Sequence, residues 1–148
     1  MSRKSQRVAS LIGSVDAGPF DPHYLGYFDC FNRQLFFEAH EVLEELWLGE
    51  RGQPRDLFYK GLIQLAGAFV HVQKDRRQPA LALLNLSRKS LASFPSRFEG
   101  LDLDRVRQLI EVWTDRLGAD SLPGQYFPPS QWPTLMLPWG SSQPPTTH

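Results

Sequence analysis

The chain has one cysteine, no excess charge of either sign and no apolar run of membrane length, and each absence removes a class of protein. With Cys30 alone no internal disulfide can form, which suits a reducing cytoplasm and reads the thiol as a small core residue. Sixteen Lys plus Arg balance sixteen Asp plus Glu, so no global field favours nucleic acid or an anionic membrane surface. The opening MSRKSQRVASLIGSVDAG is basic, but its apolar runs are too short for a secretory core or a membrane span. A glycine-rich phosphate loop, a dinucleotide fingerprint and a nucleophile elbow are all missing. At 148 residues the expectation is a cytoplasmic, single-domain protein that takes neither nucleic acid nor membrane as a partner.

What is present reads as all-α: a compact domain of about five helices with a proline-rich C-terminal tail. Residues 1–20 read as a flexible arm with one helical turn around Val8 to Ile12, because Gly13, Gly18 and Pro19 interrupt a longer pattern. Asp21 before Pro22 starts a helix that runs to about Arg33, since the carboxylate accepts from free amides and proline loses no bonded N–H at the first position. The next helix spans Leu35 to Leu48, with Gly49 at its end. After the loop GERGQ, the apolar run from Leu57 to Val72 exceeds strand length and predicts the central helix, with Lys60, Gln64, Gly67, His71 and Lys74 as its polar stripe. Pro79 starts a covering helix that Pro95 stops, with Ala80, Leu83, Leu84, Leu91 and Phe94 inward. Asp102 caps a last helix, on which Leu103, Val106, Ile110, Trp113 and Leu117 share one face. The helical domain is thus 21–118. Seven prolines in the last 28 residues make 119–148 an extended tail, apolar enough at Trp132, Leu135, Met136, Leu137 and Trp139 to dock on the domain or on a neighbouring subunit of a homodimer. Its final eight residues read as disordered.

The helix from Leu35 to Leu48 carries the chemistry. At about 100° per residue, Phe36, Ala39, His40, Leu43 and Trp47 fall on one stripe with Glu44 beside it, while Glu38, Glu41 and Glu45 turn to the opposite side. Burying an unpaired neutral polar group costs roughly 2–7 kcal/mol, so His40 and Glu44 on an apolar face require partners. Each can serve the other, and Gln64 and His71, two turns apart on the central helix, face one way and supply the rest.

The stretches FNRQLFFEAHEVLEELW, FYKGLIQLAGAFVHV and ALALLNLSRKSL resemble the prokaryotic domain of unknown function 309 family over Tyr24 to Pro95. The resemblance rests on Glu38, His40, Glu41, Glu44 and Trp47, with Gly61, Gln64 and His71 behind them. It implies a small multi-helical fold and no assigned activity, substrate or cofactor. The chain departs from the family pattern at DRRQP, where a Gly-Asn type of turn is usual, and in its tail.

Two functions stay open on these residues. One is a binding or scaffold module in which His40, Glu44, Gln64 and His71 form a buried hydrogen-bond network between the second and third predicted helices. The other is a small metal-dependent hydrolase, in which His40, Glu44 and His71 ligate a divalent metal and Glu41 is the catalytic candidate that orients or deprotonates a bound water. The first is favoured, because polar clusters between helices often specify packing without chemistry. Trp47 reads as a core anchor, His23 has no nameable partner, and Arg76, Arg77, Arg88 and Lys89 read as a solvated face.

Overall fold

A computed structural model describes residues 3–13, 20–118 and 131–136. Among the described residues there are six helices: α1 (Arg3–Ile12), α2 (Pro22–Asn32), α3 (Phe36–Glu50), α4 (Asp56–Gln73), α5 (Arg77–Leu91) and α6 (Leu103–Arg116). A two-residue hairpin, β1 (Arg97–Phe98) and β2 (Leu101–Asp102), joins α5 to α6. The all-α reading holds, with one helix more than the five expected. The addition is α1, about three turns where one was expected. Gly13 and the later breakers lie beyond its end, and its own Val8 is wholly buried. The hairpin was also not foreseen. Its turn residues Glu99 and Gly100 both have positive φ, 50° and 71°, which is what a two-residue connection matching strand twist requires. Leu137, Trp139 and the last eight residues lie outside the described residues.

Local chemistry sets the helix ends. Asp21 accepts from the His23 amide at 2.8 Å, and Pro22 occupies the first turn of α2. The far end of α2 closes on Gln34 at φ 65°, with the Leu35 amide reaching back to the Cys30 carbonyl at 2.9 Å and the Gln34 amide to that of Phe31 at 3.0 Å. The end of α4 repeats this with Asp75 at φ 55° and the Arg76 amide on the His71 carbonyl at 2.8 Å. The DRRQP turn therefore takes its left-handed residue from aspartate. Asp102 caps α6, accepting from Asp104 and Arg105.

Antiparallel α3, α4 and α5 form the body, and α4 lies between the other two. Phe36 at the start of α3 meets Phe69 near the end of α4, with ring centroids 5.4 Å apart, while Trp47 near the end of α3 donates to Asp56 at the start of α4. Tyr24, Tyr27, Phe28 and Phe31 from α2 fill the space between, and the Tyr27 hydroxyl donates to the Leu62 carbonyl at 2.7 Å. Trp113 of α6 stands edge-on to Phe69 at 5.1 Å. Among the described residues no helix is long and apolar enough to cross a membrane.

The closest approach in the body is α5 on α4. A Cβ placed on Gly61 would lie 2.7 Å from both Cγ and Cδ2 of Leu91, and the Ser87 hydroxyl donates to the Gly61 carbonyl at 2.7 Å. Leu91 is itself wholly buried and has nowhere to retreat. Gly61→Ala is therefore expected to destabilise the fold by about 1–3 kcal/mol through overpacking, despite alanine's better helix propensity. Urea unfolding checks this: the midpoint should fall while the slope is unchanged.

Candidate functional site

On α3, His40 and Glu44 stand one turn apart, with His40 Nε2 and Glu44 Oε2 separated by 3.4 Å. Neither is deeply buried: their side chains are 29% and 27% exposed. Glu44 also pairs with Lys4 of α1. His40 packs against the half-exposed ring of Phe37, centroids 5.8 Å apart, and its Nδ1 is shielded from solvent with no hydrogen-bond partner among the described residues.

Glu41 departs most from expectation. The angular count put it on the side opposite the apolar stripe, and there its side chain is only 6% exposed. The reason is α1, which lies over that side of α3. Arg7 forks onto the carboxylate, Nε donating to Oε1 at 2.9 Å and an Nη to Oε2. The same contact raises the Arg7 pKa above its usual value, the Glu41 hydrogen bond being the chief cause. Beside these pairs α1 sets Ile12 against α2 at Gly26, where a Cβ would lie 2.6 Å from Ile12 Cγ2 and 3.2 Å from Val42 Cγ1. Gly26 is the notch that admits α1.

Gln64 and His71 belong to a different seam. Gln64 accepts from the Ser90 hydroxyl at 2.7 Å, and Gly67 faces Leu83, so this side of α4 looks onto α5 and not onto α3. His71 lies two turns further along the same side, and its carbonyl accepts from the Arg76 amide just before α5. Burial, helped by Arg76 and Lys74, lowers its pKa, and its Nδ1 has no hydrogen-bond partner among the described residues. The structure thus brings His40 and Glu44 together and divides them from Gln64. Among the described residues no three His, Cys, Asp or Glu side chains are grouped to hold a metal ion, so His40, Glu44 and His71 do not share one centre.

Two further polar residues are tied down. His23 bridges Asp21 at 2.9 Å and Glu45 of α3 at 3.2 Å, partners that only the folded chain reveals. Asp56 accepts from the Gly52 amide at 3.1 Å and from Trp47 Nε1, and these bonds lower its pKa. Cys30 is buried, which pushes its thiol up to about 11 and keeps it protonated. Sequence reasoning missed Lys4, Arg7 and Gly26. A signal for the first two was present: basic residues at 3, 4 and 7 beside apolar residues at 8, 11 and 12 make an amphipathic helix.

Residues 24–83 match the family model described as Domain of unknown function (DUF309), a segment that takes in α2 from Tyr24 onward, α3, α4 and the start of α5. An uncharacterized protein of Aquifex aeolicus (strain VF5) is 29% identical over 82 residues, 55% of this chain and 25% of that protein. The uncharacterized protein YpuF of Bacillus subtilis (strain 168) is 35% identical over 74 residues, 50% of this chain and 42% of that protein. The chain spans less than half the length of these curated relatives. His40, Glu41, Glu44, Gly26, Gln64 and His71 all lie inside the matched segment, and α1 lies outside it.

Arg7→Gln should leave a covered carboxylate without its cation. The expected outcome is faster hydrogen exchange at the amides of α1, a lower melting temperature, and unchanged protection in the middle of α4. A second expectation concerns pH. Because the His71 pKa is lowered in the folded state, the unfolded chain binds the proton first, so this group's contribution is intact above its ordinary value of 6.5 and is lost as pH falls below it. His71→Gln should therefore shrink the drop in unfolding free energy between about pH 7.5 and about pH 5.5.

Proposed function

We propose that the domain is a non-enzymatic binding module whose outer α2/α3 surface holds a basic amphipathic helix, and that α1 is the tethered form of that ligand. The observation that carries this reading is Glu41, a carboxylate nearly covered by protein whose forked cation comes from another element. A charge removed from water is tolerated when a partner is positioned for it, and here the partner is a helix that also inserts Val8 and Ile12. Three features support the same ligand: the Gly26 notch for a branched side chain, Glu41 for a guanidinium, and Glu44 with His40 for an ammonium. This is the helix-in-groove mode, with apolar anchors at i and i+4 and charges setting register. The site lies in the family-matched segment while the helix that fills it does not, as expected for a receptor whose ligand is supplied by whatever flanks it. The buried, protonated thiol of Cys30 fits a reducing cytoplasm as the setting.

The reading is tested in the full chain. Val8→Asp should expel α1, because the aspartate would otherwise be buried. A fluorescent peptide of residues 1–13 should then bind the variant, read by anisotropy. It should bind wild type at least about tenfold more weakly, since the tethered helix competes at an effective concentration on the order of millimolar. Adding Glu41→Lys should abolish binding. Equal binding to both chains, or none to a Val8→Asp chain that keeps its helical circular dichroism, would sink the proposal.

A further inference from the structure

A second surface, independent of the α1 seat, is filled by residues 131–136. Asn32, on the last turn of α2, holds that segment by its backbone: Nδ2 donates to the Leu135 carbonyl at 2.8 Å and Oδ1 accepts from the Leu135 amide at 2.7 Å. One side-chain amide thus meets both polar groups of one residue, as a sheet edge would, and fixes an extended backbone whatever side chain that residue carries. Side chains supply the selectivity. Pro133 and Leu135 are buried while Thr134 and Met136 are exposed, the alternation of an extended strand, and the Trp132 ring lies 6.1 Å from Phe36 of α3.

We infer that the end of α2 and the start of α3 form a binding site for an extended Trp-Pro-any-Leu segment of a partner protein, and that residues 131–136 are a displaceable tethered occupant. Two features mark this occupant as displaceable. Among the described residues its backbone is held at one residue, by one side chain. The shielded Trp132 Nε1 donates to nothing among the described residues, so the seated tail leaves a hydrogen bond unmade that a partner segment with an acceptor beside its tryptophan would form. Asn32 lies in the family-matched segment and the tail does not, so the receptor and its present occupant are separable in sequence. Displacement is then mass action between a tethered and a free ligand of the same chemistry.

The experiment uses the full chain and the blocked peptide Gln-Trp-Pro-Thr-Leu-Met. In wild type, millimolar peptide should speed hydrogen exchange at the chain's own Leu135 amide, because the peptide takes Asn32 from it. Trp132→Ala in the chain weakens the tethered occupant and should tighten peptide binding at least about tenfold, by fluorescence of the peptide's tryptophan. Asn32→Asp keeps the acceptor for an amide but turns a second acceptor to the carbonyl, and should abolish binding. No acceleration of Leu135 exchange at saturating peptide overturns the proposal without relying on any variant. Peptide binding of equal strength to the Asn32→Asp chain also overturns it. Should wild type alone form a dimer that Asn32→Asp dissolves, the occupant is a second copy of this chain and the assignment to a partner protein is wrong.

Discussion

The contact of α5 with α4 at Gly61 sets the spacing of the whole bundle. With no side chain at that position, Leu91 and Ser87 reach the α4 backbone, and the Ser87 hydroxyl donates a second hydrogen bond to a helical carbonyl that is already in use. Ser90 repeats the device one turn on, against Gln64. Two buried serines would be a cost in an apolar core, but each is satisfied by α4, so they act as fixed points of register. Once α5 is seated, the opposite side of α4 is left for α2 and α3, and their aromatic rings fill it. The α3 surface that faces outward follows from that division.

That outward surface is where the molecule is charged in a patterned way. Glu41 and Glu44 project toward α1, His23 ties α2 to Glu45, and Trp47 ties α3 to Asp56. Exposed ion pairs contribute little to stability, generally under about 1 kcal/mol. Glu41 differs because α1 excludes water from it. The pair therefore reports whether α1 is present more than it holds the domain together. The tail repeats this arrangement on another surface, with an element outside the family-matched segment held by a residue inside it, Asn32.

The helices were legible because their signals are local: Asp21 with Pro22, Asp102, the apolar run from Leu57 to Val72, and the prolines that bracket α5. The family resemblance was legible for the same reason, as spacing along α3. Pairing across helices was not. An angular count gives the side of a helix on which a residue lies, but not which neighbour will occupy that side. Gln64 was on the stripe assigned to it, and that stripe met α5. Glu41 was also on its assigned side, which α1 then covered. The hairpin at Glu99 and Gly100 escaped because its strands are two residues long and carry no alternation to read.

The place of α1 in the chain also bears on the order of assembly. Arg7 precedes its partner Glu41 by 34 residues, and Lys4 precedes Glu44 by 40. During synthesis at about 5–20 residues per second, α1 therefore waits roughly 2–8 seconds before its receptor exists. For that interval Val8, Leu11 and Ile12 are an unattached apolar strip with a basic border, open to whatever meets the nascent chain. A helix made before its receptor passes through a period in which it is a ligand without a site.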